Sequence, residues 1–330
     1  MAIKLTDVAK KAGVSPTTVS RVINNYGSLS QKTIDKVNLA MKELNYQPNS
    51  LARSLQGKKT DLIGMIFPTV ANPFYGELVE KVEARLFDLG YKTILCDSAD
   101  NSEKEQQYIN MLSANKVDGI IAGAHNLGIT EYENIDLPIV SFDRFLADGI
   151  PIVGSDNFQG GYLATENLYL HGGRQIAILT GSNESNSPTN ERLNGYKSFV
   201  EGKNLEEKVF KFPSKNYSTT LKNMEIKRIL QKEEIDSIFC TDDFTALLVY
   251  NNCQELGIKI PEDLKIIGYD GTKFIQTYFP QLSTMAQPIS DFAELLVDLL
   301  IQRIDNRDVT LEDHYMLPVK YIQGKTAYPK

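Results

Sequence analysis

From Leu62 onward the sequence alternates short apolar runs with amphipathic stretches, and few folds accommodate that alternation. LIGMIFP at 62–68 reads as a strand and 73–89 as a helix; KTILCDS at 92–98 reads as a strand before a helix over 102–116. Further strands are expected at 117–124, 138–143 and 150–156. The pattern then resumes with helices over 158–170, 189–201, 218–233 and 244–255, interleaved with strands at 175–181, 209–213, 236–242 and 264–271. Continuous apolar strands joined by helical crossovers indicate parallel sheets covered on both faces. Roughly two hundred residues of this pattern exceed one comfortable sheet, so the expectation is two α/β lobes. Ligands of such folds bind beyond the carboxyl ends of the strands, here in the cleft between lobes.

The stretch LTDVAKKAGVSPTTVSR, Leu5 to Arg21, is different in kind. Leu5, Val8, Ala9 and Ala12 share one helical face, Thr6 is placed to cap that helix, and Gly13 supplies a turn. Ser15 caps a second helix with Pro16 at its first position, where the missing N–H costs nothing. Val19, Val22 and Ile23 point inward. Thr17, Thr18, Ser20 and Arg21 are left outside, able to hydrogen-bond to bases or phosphates. Two short helices so joined can lay the second in a DNA major groove, although a plain surface hairpin has the same shape. A third helix from Ser30, with Ile34, Val37, Met41 and Leu44 inward, closes this small all-α head before Pro48. Residues 49–60, NSLARSLQGKKT, read as a linker, because so short a helix is marginal by itself.

Charge divides the chain at the same place. Residues 1–60 hold ten Lys/Arg against three Asp/Glu, a net of +7; residues 61–330 carry −14. A basic head on an acidic body suits a DNA-binding module on a regulatory domain, with DNA contact confined to the head. Cys96, Cys240 and Cys253 are too few for a disulfide framework and are expected as reduced, buried thiols in the cytoplasm. The first residues lack a secretory apolar core, and no run reaches membrane-spanning length. His125, His171 and His314 show no metal-ligand spacing, and neither G-x-S-x-G nor a phosphate-binding loop occurs, so neither an enzyme nor a cofactor is expected.

DVAKKAGVSPTTVSRVIN at 7–24, KVNLAMKELNYQPNSLARSL at 36–55, IGMIFPTVANPFYGEL at 63–78 and IIGYDGT at 266–272 together resemble the LacI/GalR family of bacterial transcription regulators. The resemblance runs through the whole chain in order. It implies a helix-turn-helix head at 1–48, a hinge helix and linker at 49–60, and an effector-binding and dimerisation core at 61–330 with a periplasmic-binding-protein-like (type I) fold. The lobes would comprise about 61–156 with 287–315, and about 157–286 with 316–330, the chain crossing near Asp156, Gln287 and Met316. A homodimer on double-stranded operator DNA, released by a small sugar or sugar phosphate, is the implied mode of action. FDRF at 142–145 and PTNERLNGY at 188–196 are most similar to members governing sucrose-utilisation operons. A global carbon-catabolite regulator, with a phosphorylated carrier protein as corepressor, is the alternative.

The resemblance puts Thr6, Ser15, Pro16, Thr17, Thr18, Ser20, Arg21 and Asn24 on the DNA side of the head, with Pro16, Thr17 and Arg21 at base-reading positions. Thr18 and Ser20 serve equally well as phosphate anchors. Asn49, Ala52, Arg53 and Leu55 match a hinge helix whose leucine wedges into the minor groove; packing on the core is the other reading of Leu55. In the cleft, Asp143, Arg192, Asp242 and Asp270 match sugar-contacting positions. Any single Asp at a strand end is equally a helix cap or turn residue. Asp243 is expected to be the cap beside Asp242. Phe67, Phe74 and Tyr217 are candidates for an apolar wall, with Phe67 and Phe74 nearly as well explained as core.

Overall fold

The computed structural model describes residues 3–24, 26–47, 59–99, 101–124, 126, 128–182, 188–213 and 218–328. The chain divides into two units, Met1–Thr60 and Asp61–Lys330.

In the first unit, α1 (Leu5–Ala12), α2 (Pro16–Ile23) and α3 (Gln31–Glu43) enclose Val8, Ala9, Val19, Val37 and Ala40. Leu5, Val22, Ile23, Met41 and Leu44 pack around these, so the inward positions are those set by helical spacing. The cap of α1 is not Thr6. The helix begins two residues earlier, at Leu5 with Lys4 as its N-cap, and Asp7 reaches back to accept the Lys4 backbone N–H at 2.8 Å, leaving Thr6 exposed in the first turn. A carboxylate at the third helical position does this better than a hydroxyl already inside the helix. Gly13 ends α1 at φ +67°, a left-handed conformation that glycine adopts without strain. Ser15 Oγ accepts the Thr18 N–H at 3.1 Å, with Pro16 opening α2.

The second unit holds two six-stranded sheets. The first contains β1 (Leu62–Phe67), β2 (Lys92–Asp97), β3 (Gly119–Ala122), β4 (Ile139–Phe142), β5 (Ile152–Ser155) and, from the far end of the chain, β11 (His314–Leu317). Its order is β11-β5-β4-β3-β1-β2, with every pairing parallel. The second contains β6 (Ile176–Ser182), β7 (Lys208–Pro213), β8 (Ser237–Cys240), β9 (Lys265–Asp270), β10 (Ser283–Ala286) and β12 (Lys320–Ile322), in the order β12-β10-β9-β8-β6-β7. Only β12 is antiparallel to its neighbour.

Helices cover both faces of each sheet. On the first lie α4 (Pro73–Asp88), α5 (Ser102–Ala114), the short α6 (Glu131–Asn134) and, arriving later, α12 (Ile289–Asp305). The second carries α7 (Asn157–Leu170), α8 (Asn190–Gly202), α9 (Thr219–Lys232), α10 (Asp243–Leu256) and α11 (Lys273–Tyr278). The packing follows from the side-chain pattern. On α4, Phe74, Leu78, Val82 and Leu86 recur every fourth residue and are all buried. They meet Phe292, Leu296 and Leu300 of α12 in one core that also holds Phe67 and Phe142. Cys96, Cys240 and Cys253 are buried and free.

The chain passes between lobes after Ser155, after Ala286 and after Leu317. Two strands, β10 and β11, have no counterpart in the expected pattern. Four residues such as STMA or HYML are too short and too polar to signal a strand; pairing with β9 and β5 makes them one. Because β11 runs through Leu317, residues 316–317 lie in the first sheet rather than the second lobe. Pro318, which has no N–H to give a ladder, follows immediately.

Candidate functional site

Two sites emerge, one in each unit. On α2, Thr17, Ser20, Arg21 and Asn24 are spaced three and four apart and so share one face. Ser15, Pro16, Thr17 and Arg21 are exposed, whereas Thr18, Ser20 and Asn24 are half-buried. The half-buried polar groups are occupied locally. Thr18 Oγ1 is 2.9 Å from Ser15 Oγ, and the Asn24 amide donates to the Ser20 carbonyl at 2.7 Å and hydroxyl at 3.2 Å. Arg21 folds towards the Tyr26 carbonyl, with Nε at 3.4 Å. Arg21 and Thr17 are thus the most available hydrogen-bonding side chains of this face. Asn49, Ala52, Arg53 and Leu55 of the expected hinge lie outside the described residues.

In the core, the lobe crossings carry a polar cluster. Asp143 follows β4 in the left-handed region at φ +51°, and Asp270 ends β9 at φ +116°, a conformation unfavourable for any side chain. Such strain persists only where the surroundings hold it, and it collects at functional sites. Arg192 lies buried in the first turn of α8. Its Nε donates to Asn157 Oδ1 at 2.7 Å and an Nη to the Thr241 carbonyl at 2.7 Å, and its guanidinium lies 3.7 Å from the Tyr269 ring centre. Asn157 in turn donates to Asp143 Oδ1 at 3.2 Å. On the other side, Gln287 donates to Asp270 Oδ1 at 2.8 Å and accepts the Ser155 hydroxyl at 2.6 Å. Two short chains of hydrogen bonds, Arg192–Asn157–Asp143 at the first crossing and Ser155–Gln287–Asp270 at the second, therefore tie the acids and the arginine to these crossings.

Two glycines make this arrangement possible. A Cβ on Gly161 of α7 would stand 2.0 Å from the Arg192 carbonyl oxygen, and one on Gly195 of α8 would stand 2.1 Å from that of Phe158. The helices touch backbone to backbone, which brings Arg192 to Asn157.

Electrostatics keep the cluster poised. Burial pushes the Asp143 carboxyl up to about 6, against the opposing pull of Arg192, the Asn157 amide and Arg144. Asp270 is raised by burial too, opposed by Arg192 and reinforced by Asp242. Burial works against the charge on Arg192, but Tyr269, Asp270, Asp143 and Tyr75 together hold it above its ordinary value. The site offers carboxylate acceptors, a fixed guanidinium fork and side-chain amides, the set that polyhydroxyl ligands require.

Of the cleft residues expected from sequence, Asp143, Arg192 and Asp270 come together. The helix cap falls on Asp242 and not on Asp243. Asp242 caps α10, accepting the Thr245 N–H at 2.7 Å, while Asp243 turns inward to accept from the Gly271 N–H at 2.8 Å and the Thr284 hydroxyl at 2.7 Å. The helix begins at Asp243, so only the preceding residue can cap it. Phe67 is wholly buried in the core of the first lobe, in space that the missing side chain of Gly123 leaves open. Phe74 is buried edge-on to Tyr75, with ring centres 5.4 Å apart. Both are core aromatics and neither presents an open wall. Tyr217 lies outside the described residues.

Sequence reading missed Asn157, Tyr269, Gln287 and Ser155. Each sits at a strand end or crossing in an otherwise apolar neighbourhood, and the glycine pairs 160–161 and LNG at 193–195 were the available sign of close helix contact.

Comparison with known proteins agrees along the whole chain. Residues 4–49 match the model for bacterial regulatory proteins of the lacI family, and residues 165–327 match the periplasmic binding protein-like domain. The chain is 55% identical over 324 residues to the sucrose operon repressor of Pediococcus pentosaceus, covering 98% of this chain and 99% of that protein. It is 52% identical to the sucrose operon repressor of Streptococcus mutans, covering 99% and 100%. A crystal structure of the lac repressor dimer bound to operator and the anti-inducer ONPF superimposes with a TM-score of 0.84 at 27% identity, covering 100% of each chain. The chain belongs to the lacI family of bacterial regulatory proteins.

Proposed function

We propose that the protein is a homodimeric, cytoplasmic repressor of a sucrose-utilisation operon, bound to its operator through α2 and released when a sugar occupies the cleft. One observation carries the sugar-responsive part. The donors and acceptors suited to a polyol are hydrogen-bonded to the strands that cross between lobes, so a ligand there acts on lobe geometry. Near full-length identity to two sucrose operon repressors supports the choice of operon. Operator affinity falls if sugar binds the released geometry more tightly; each tenfold loss needs about 1.4 kcal/mol of such preference. Asp143, Arg192 and Asp270 hold the sugar in this reading, and Pro16, Thr17 and Arg21 face the bases, with Thr6, Ser15, Thr18, Ser20 and Asn24 placing α2 against the phosphates. Leu221, Met224, Phe274 and Tyr278, exposed on α9 and α11, offer apolar surface for a second copy. A phosphorylated carrier protein as corepressor, the alternative raised by the sequence, has no observation in its favour.

Titration of the full chain against operator DNA, with and without sucrose, tests the reading at fixed salt. Sucrose should weaken operator binding at least tenfold. Arg192→Ala should abolish that response while leaving sugar-free operator affinity within a few-fold. Operator affinity indifferent to sucrose and to its component sugars would remove the sugar-responsive reading.

A further inference from the structure

Beside the cleft cluster lies a cavity of roughly 300 Å³ whose walls come from both lobes. Phe145, in the loop after β4, and Met316, on β11, face it from the first lobe; Phe158, on α7, faces it from the second. These three large apolar side chains are 55%, 43% and 39% exposed, an accumulation that a solvated surface does not ordinarily carry around one hollow. Asp156 and Glu191 add carboxylates to the same lining, which among the described residues holds His314 but no lysine or arginine. An anionic group placed in this cavity would meet two carboxylates and, among those lining residues, no lysine or arginine. A neutral ring with one C–H face and a rim of hydroxyls matches both halves of the lining, apolar rings for the face and carboxylate oxygens for the hydroxyls.

The cavity also shares residues with the cleft cluster. Two of its lining residues, Ser155 and Asn157, are the same residues that hydrogen-bond Gln287, Arg192 and Asp143. We infer that this cavity takes a neutral sugar ring, the second ring of a disaccharide whose first ring lies on Asp143 and Arg192. The inference rests on the sugar-responsive reading given above and adds to it a ligand class: an unphosphorylated disaccharide rather than a monosaccharide or a sugar phosphate. An aromatic ring from each lobe would then grip the second sugar ring, so the disaccharide fixes the lobes at two points where a monosaccharide fixes them at one.

Calorimetric titration of the full chain with sucrose, glucose and fructose decides the matter, comparing the native sequence with Phe145→Ala/Phe158→Ala and with Arg192→Ala. The single variant Phe145→Ser, at an exposed loop position, guards against misfolding of the double variant, and thermal unfolding is recorded for each. Removing two ring contacts should cost sucrose about tenfold or more in affinity, while the affinity of the monosaccharide held at Asp143 stays unchanged. Phe145→Ser should show part of the same selective loss. Unchanged sucrose affinity in the double variant, with Arg192→Ala abolishing it, overturns the inference and leaves the sugar-responsive reading standing. Equal loss of sucrose and monosaccharide overturns it as well, because the cavity would then act through the fold. Absence of binding by any of the three sugars to the native sequence removes both.

Discussion

The DNA-facing side of α2 and the cleft cluster are both polar recognition surfaces, yet they are built in opposite ways. On α2 the key groups, Thr17 and Arg21, stand in solvent, and among their neighbours Ser15 pairs with Thr18 and the Asn24 amide donates to Ser20, each within about a turn. In the cleft, Arg192 is buried and its bonds run to Asn157 and Thr241, 35 and 49 residues away in sequence. The difference follows from the partners. A phosphate backbone attracts through charge at long range and tolerates mobile side chains. The hydroxyls of a neutral polyol carry no charge and offer hydrogen bonds, which gain over water only when the donors and acceptors are already fixed and dry.

The largest test of this contrast is steric. Gly195→Ala places a methyl group 2.1 Å from the Phe158 carbonyl, where backbone must move, so the core should lose about 3 kcal/mol or more and sugar binding should fail with it. Gly13→Ala in the head meets nothing within 4 Å and pays only for its left-handed backbone, about 1 kcal/mol. Denaturant unfolding of the two variants compares them directly; similar losses would break the contrast.

Next comes Arg21→Ala. It should remove about 1–3 kcal/mol of discrimination at one operator position and leave sugar affinity untouched, read by titrating operator variants at fixed salt.

The smallest effect is on proton linkage. Asp143 is held at about 6 in the folded chain, above its unfolded value, so the folded state binds the extra proton between those values. Its ionisation costs stability in full above pH 6, and that cost declines as pH falls from 6 towards the unfolded value, below which it is gone. A sugar hydroxyl donated to Asp143 favours the ionised form. Sugar affinity should therefore weaken on acidification through pH 6, and Asp143→Asn should flatten the slope to the part due to Asp270, measured by calorimetry across pH. The exposed face of α2 has no counterpart to this dependence.

Much of the fold was legible because its information is local. The inward face of α1, the Ser15 cap and the stripe of Phe74, Leu78, Val82 and Leu86 follow from spacing alone. Errors arose where one residue decides between neighbours. The cap of α1 fell on Lys4, closed by Asp7, instead of Thr6, and Asp242 took the cap expected of Asp243, because helix starts shift by one or two residues at little energetic cost. Phe67 stayed between two readings for another reason: an aromatic at a strand end reads the same whether it faces a cleft or a core, and its burial beside Gly123 is a matter of tertiary packing.

By itself the sequence determined the basic head, the two parallel-sheet lobes and the residue types of the cleft, since charge, periodicity and strand-end acids are properties of short segments. Tertiary structure decided which of those acids meet. Asn157, Gln287 and Tyr269 come to Asp143, Arg192 and Asp270 only because the chain crosses between lobes three times and because α7 and α8 touch at Gly161 and Gly195. A network whose members stand up to 132 residues apart has no period to read; it exists when distant backbones approach closely enough to exclude water.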